Sequence, residues 1–202
     1  MADTKLTGLS AAGAIAGTDI MYVVLDPTGT PLSRKITFAD MKSAAGLDPA
    51  HMSIYSETQD TTAISVAGTY VKVGMTTTVK ADKTADLDDD TATSNRVKYL
   101  GASERHFSIS GDATLAPDSG QNKIIALKLW HWDASAGSGS FVTGSRSQAV
   151  VDSGSAQSIP FGGDVLLDTN DYLELWVANS TDTNDVIFDH MYMFVQGLNI
   201  AI

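Results

Sequence analysis

Apolar residues alternate along residues 171–195 in a way that leaves no face plainly for water. In the first run Leu173, Leu175 and Val177 share one side of a strand, and Tyr172, Glu174 and Trp176 share the other. In the second run Met191, Met193 and Val195 oppose His190, Tyr192 and Phe194. Between them Asn179 to Asp185 is a cluster of Asn, Ser, Thr and Asp, residues that bond their own backbone in turns, so the whole stretch predicts a hairpin. An antiparallel sheet normally shows one face to water. The second apolar face therefore asks for a partner, and another copy of the chain is the economical one. Lys123 to Trp132 repeats the pattern, with Ile124, Ala126 and Trp130 opposing Ile125, Leu127 and Leu129.

Other short runs precede this hairpin: 52–55, 62–66, 70–76, 96–100, 105–110, 147–151 and 157–161. Loops rich in Gly, Ser and Asp separate them, such as Ala134 to Ser140. Many short strands with such punctuation predict a mainly β fold, an antiparallel jelly-roll sandwich, over residues 60–202. The start of the chain reads differently. Ile20 to Leu25 and Leu32 to Ile36 predict a hairpin around Asp26-Pro27-Thr28-Gly29-Thr30-Pro31. Thr37 with Asp40 three residues on supplies an N-cap, and Gly46 a C-cap, for a helix of about two turns. This small ββα module spans residues 1–46, and 47–59, around Pro49, reads as a linker. The module is too small to bury a core of its own.

Composition narrows the function classes. The chain has 202 residues, no cysteine and a formal charge of −11. Disulfide and thiol chemistry are excluded. Residues 51–202 hold nineteen of the acids against nine lysines and arginines, with no basic stripe, so the second part repels polyanions and nucleic acid is not an expected partner. No apolar run approaches the roughly 18 to 20 residues that would span a bilayer, and the first residues lack the apolar stretch of a signal peptide. The expectation is a protein with no membrane insertion and no Sec-type export.

The search for chemistry returns little. Asp86, Asp88 and Asp90 have the alternation of a calcium loop, but Thr91 stands where such a loop needs glycine and Val97 where it needs Glu, so a solvated acidic loop is the stronger reading. His51, His106, His131 and His190 are scattered, without metal-ligand spacing. His131 between Trp130 and Trp132 offers a sugar platform as one reading and subunit or core packing as the other. Ser145, Ser147 and Ser153 lack a nucleophile elbow, and paired carboxylates come without the long repeats of polysaccharide-cleaving spikes. No enzyme, metal or cofactor is expected.

Two resemblances add to this reading. Leu6-Thr7-Gly8-Leu9, then Ala16-Gly17-Thr18-Asp19-Ile20-Met21-Tyr22-Val23-Val24, then Lys35-Ile36-Thr37-Phe38-Ala39-Asp40-Met41-Lys42 resemble the N-terminal module of many tailed-bacteriophage fibre, spike and head-fibre proteins. The resemblance implies attachment to phage capsid or tail proteins through Leu6, Leu9, Asp19, Tyr22, Ile36, Phe38 and Met41. Residues 60–198 resemble the trimeric jelly-roll head of tumour-necrosis-factor and complement-type domains. That likeness rests on Arg105 to Ile109, Asn122 to Leu127, Asp171 to Asn179 and Met191 to Val195. It implies a homotrimer, with Trp130, Tyr172, Trp176, Tyr192 and Phe194 at the subunit interface or in the core. Together they imply a non-enzymatic virion protein made in the host cytoplasm and displayed outside the particle. A capsid head fibre or decoration protein is slightly favoured by the chain's brevity. A tail-fibre receptor-binding tip and a free lectin-like module are the alternatives, and a host-surface glycan is a candidate ligand.

Overall fold

The structure, a computed structural model, describes residues 20–25, 32–37, 50–82, 86–89 and 95–198. The chain divides into two compact units, Met1–Pro49 and Ala50–Ile202. In the first, β1 (Ile20–Leu25) and β2 (Leu32–Thr37) pair antiparallel, Ile20 opposite Thr37 and Leu25 opposite Leu32. This is the expected first hairpin. The expected helix after it lies outside the described residues, as do the attachment residues Leu6, Leu9, Asp19, Phe38 and Met41.

The second unit is a sandwich of two antiparallel sheets. Its strands are β3 (His51–Ser56), β4 (Asp60–Thr62), β5 (Val71–Lys72), β6 (Thr78–Asp82), β7 (Leu87–Asp88), β8 (Arg96–Tyr99) and β9 (Arg105–Pro117). They continue with β10 (Lys123–Asp133), β11 (Ser138–Phe141), β12 (Ser147–Val151), β13 (Gln157–Leu167), β14 (Tyr172–Asn179) and β15 (Val186–Gly197). A seven-stranded sheet runs β11-β10-β14-β8-β7, with β12 also on β10 and β5 on β14. A six-stranded sheet runs β13-β9-β15-β3-β6, with β4 also on β15. From β8 to β10 and again from β12 to β15 each strand lies in the opposite sheet to the one before, as in a jelly roll, while β10, β11 and β12 stay in the seven-stranded sheet.

The alternation read from the sequence sets which side chains meet between the sheets. Ile125, Leu127 and Leu129 of β10 and Leu173, Leu175 and Val177 of β14 are buried against Phe107, Ile109 and Leu115 of β9 and Met191, Met193 and Val195 of β15. Each such side chain contributes about 1.5–3 kcal/mol by leaving water. Tyr99 closes one end, edge-on to Phe107 with ring centres 5.0 Å apart, its hydroxyl donating to the Ser103 carbonyl at 2.7 Å.

Two expectations change. Residues 47–59 are not simply a linker: β3 lies within them and pairs along β15 from Met191–Ser56 to Gln196–His51, and it buries Met52 and Ile54. The short run expected over 52–55 is this strand, one residue longer at each end. The strands expected over 105–110 and 157–161 also run on, to Pro117 and Leu167, pairing from Leu115–Gln157 to Arg105–Leu167. The expected runs stop at Ser110 and Phe161, just before Gly111 and Gly162, yet these glycines are places of close approach. A Cβ on Gly111 would lie 2.3 Å from the Tyr192 carbonyl oxygen and 2.6 Å from the Phe161 ring, and one on Gly162 would lie 2.6 Å from the Ile109 carbonyl oxygen.

Candidate functional site

With the interior filled by one set of each alternating strand, the other set makes two outer faces. On the six-stranded sheet β15 lies in the middle, so His190, Tyr192 and Phe194 stand at the centre of that face. Tyr192 is flanked by Tyr55 of β3 and Asp112 of β9, and Phe194 by Ser53 and Ser110. Both aromatic side chains are half-buried. His51 tilts against Phe194 with ring centres 5.9 Å apart. The Lys80 ammonium lies 5.5 Å from the Tyr192 ring and 6.0 Å from the Tyr55 ring. His190 Nδ1 is 3.6 Å from an Asp112 carboxylate oxygen, a contact that becomes an ion pair when the imidazole is protonated.

The outer face of the seven-stranded sheet carries Lys128, Trp130 and Trp132 of β10 opposite Trp176, Glu174 and Tyr172 of β14. Phe141 of β11, Lys72 of β5 and Arg96 and Lys98 of β8 complete it. The rings pack on one another. Trp130 stacks on Trp176 at 4.8 Å, Trp132 on Tyr172 at 5.8 Å, and Phe141 stands edge-on to Trp130 at 4.9 Å. The Arg96 guanidinium covers Tyr172 at 3.7 Å from its ring centre.

Glu174, buried in the middle of this face, organises its charge. One carboxylate oxygen accepts from Lys72 Nζ at 2.8 Å and from Arg96 Nε and Nη2 at 3.0 and 2.8 Å; the other accepts from Trp176 Nε1 at 3.1 Å. Burial pushes this carboxyl up, and the bonds from Lys72, Arg96 and Trp176 outweigh it, holding it below the usual carboxylate range. The charged form of Glu174 is thus built into the sheet.

The five proposed interface residues separate. Trp130, Tyr172 and Trp176 lie on the outer face of the seven-stranded sheet, and Tyr192 and Phe194 on that of the six-stranded one, with the core between. Sequence reasoning passed over Tyr55, Tyr70, Lys72, Arg96, Lys128 and Phe141, which belong to these faces. Glu174 was the available signal, a charge between Leu173 and Leu175 in an apolar run. His131 points to the opposite side of β10 from its tryptophan neighbours. Its Nε2 is 2.9 Å from buried Asp171, which also accepts from the amides of Ala134 and Asp168, so the imidazole ties two turns together at the end of the sandwich. Of the acidic stretch, Asp86 lies 4.0 Å from Arg105 and Asp88 faces Lys98 across β7 and β8, while Asp90 is outside the described residues. Among the described residues no group of three or more His, Asp and Glu converges as a metal set. Tyr22 and Ile36 fall in β1 and β2.

No protein-family model matches the chain, and no curated protein matches its sequence. Among solved structures it is similar to murine APRIL at pH 5.0, with 9% identity and a TM-score of 0.52 over 74% of this chain and 99% of that one. It is similar to the Eiger TNF of S. frugiperda, with 10% identity and a TM-score of 0.51 over 76% of this chain and 96% of that one. The globular domain of a zebrafish complement 1qA protein aligns at 9% identity and a TM-score of 0.47, over 76% and 99% of the two chains. The APRIL and Eiger likenesses show the fold: a jelly-roll sandwich of the tumour-necrosis-factor kind.

Proposed function

We propose that this chain is a non-enzymatic structural and display protein, three copies of which join through the outer face of the six-stranded sheet to form a jelly-roll knob. The observation that carries this is the Tyr55, Tyr192 and Phe194 cluster, half-buried at the centre of that face, with the small Ser53 and Ser110 on either side of Phe194. A half-buried aromatic between small strand partners can be covered by a facing copy, and burying it there continues the hydrophobic stabilisation of the core. The trimeric head that residues 60–198 resemble has this kind of self-association, and the fold likeness supports the comparison.

The finer reading concerns place. The resemblance of residues 1–46 to phage attachment modules supports a component of a bacteriophage particle, carried outside the capsid as a head fibre or decoration protein, with a tail-fibre tip as the rival location. In this reading the first unit holds capsid or tail proteins and the second is the exposed knob.

The test is native mass by light scattering on a sizing column. The parent should run near three times 21.3 kDa. Phe194→Asp would place an unpaired charge in the seam, costing several kcal/mol on burial, and should run as a monomer with unchanged far-ultraviolet dichroism. A parent that is monomeric at high concentration refutes the seam. Particles that retain a protein lacking residues 1–46 refute the attachment role.

A further inference from the structure

Three of the chain's four histidines stand on the outer face of the six-stranded sheet, His51 on β3, His106 on β9 and His190 on β15. The fourth, His131, is held by Asp171 at the end of the sandwich. The three differ in what surrounds them. His190 has an Asp112 oxygen at 3.6 Å, a ready partner for its charged form. His106 stands opposite Leu166 of the edge strand β13. His51 has an aromatic neighbour and no anion: its ring centre is 5.9 Å from that of Phe194, its strand partner is Gln196, and among the described residues no carboxylate pairs with it. The other charges on the face do not help it. Lys80 of β6, itself positive, lies over Tyr192 and Tyr55. Asp112 of β9 stands opposite Tyr192 and beside His190. Asp164 of β13 stands opposite Ser108, with β9 and β15 between it and β3, so three strand spacings, about 14 Å, separate it from His51. Asp82 of β6 pairs with Met52, whose side chain is in the core.

We infer that this face is a pH-sensitive seam, in which the His51 imidazole has to be neutral for three copies to close over Phe194. The inference rests on the self-association proposed above and concerns its regulation. A facing copy that covers Phe194 also covers the ring tilted against it. A charged imidazole taken out of water without an anion is disfavoured, and the positive Lys80 on the same face adds to the cost. A free imidazole takes up its proton at about pH 6.5. Separate copies therefore bind protons that the closed seam excludes, so association is complete above that value and is lost as pH falls through it. His190 does not oppose closure in this way, because its proton gains Asp112 within one copy.

The experiment follows the native mass of the full-length protein by light scattering over a dilution series at about pH 7.5 and about pH 5.5, a window above the usual carboxylate range, with dichroism on the same samples. The parent should be a trimer at the higher pH. Excluding one proton from each of three copies lowers the association constant up to about 1000-fold between the two, and so moves the half-dissociation concentration up to about 30-fold, the square root that a three-body equilibrium gives. His51→Gln and His51→Asn should keep the trimer at the lower pH, and His190→Gln should retain the parent's pH dependence, all with unchanged dichroism. A parent that is trimeric to the same dilution at both pH values overturns the switch while the seam stands, and a parent monomeric at both overturns the seam and the switch together. A pH dependence that survives in both His51 variants, one that vanishes in His190→Gln, or an acid dissociation accompanied by lost dichroism overturns the switch as well.

Discussion

Glu174→Ala puts the clearest demand on the physical account of this sheet. Its carboxylate accepts from Lys72, Arg96 and Trp176 while the residue keeps 3% of its exposure. Removing it leaves two cations and an indole N–H without their acceptor. Breaking a buried ion pair from one side costs about 3–5 kcal/mol. Water can partly replace the lost partner, because the Lys72 and Arg96 side chains keep 27% and 18% of their exposure, which places the cost near ~3 kcal/mol. For a domain of this size each kcal/mol moves the melting temperature by about 2–4 °C, so the variant should melt ~6–12 °C lower. The assay is a thermal melt followed by dichroism and by tryptophan emission. A triple change, Lys72→Met with Arg96→Met and Glu174→Leu, should recover most of the loss, since packed apolar groups can replace such a triad. A Glu174→Ala protein that melts within about 2 °C of the parent would refute the reasoning, because that is under ~1 kcal/mol. The sign with pH follows from the lowered carboxyl. The contribution is complete above about pH 4.3, the unfolded value, and is lost as pH falls through the lower folded value. Glu174→Gln should lack that acidic limb.

Three further outcomes follow from the packing. Asn95 is buried with φ at 57°, its amide donates to the carbonyls of Val73 and Leu175 at 3.2 and 2.9 Å and its Oδ1 accepts from the Leu175 N–H at 3.4 Å; Asn95→Ala should cost ~2–4 kcal/mol in urea unfolding, combining a Val73 carbonyl and a Leu175 N–H left without these bonds with a left-handed alanine, while the Leu175 carbonyl keeps the Val73 N–H at 3.0 Å. Gly111→Ala has to find room for a methyl 2.3 Å from a backbone oxygen in a central strand pair, and should lower stability by ~1–3 kcal/mol or more, where an unchanged melting temperature would show that β9 and β15 can part. A fragment of residues 50–202 should melt like the full chain because the core lies within it, whereas 60–202, which loses β3 and buried Met52 and Ile54, should not fold cooperatively.

What the amino-acid order determined by itself was parity. Strand side chains alternate with a period of two, so Leu173, Leu175, Val177, Met191, Met193 and Val195 could be assigned to one side without knowing what lay opposite, and all six are in the core. The many short runs and the excess of both-sided strands announced a sandwich with more apolar surface than one layer needs. Strand ends were less legible. Glycine within a run is written the same way whether the chain turns or two backbones touch, and Gly111 and Gly162 became readable as contacts once Tyr192 and Ile109 were seen beside them. The tertiary structure alone decided which outer residues share a face. Trp130, Trp176, Phe141, Lys72 and Glu174 come from four strands, Lys72 and Glu174 lying 102 positions apart, and strand order, a property of the whole fold, brings them together. The same order set Tyr192 and Phe194 on the far side of the core from the tryptophans, because neighbouring strands in the chain cross between the two sheets.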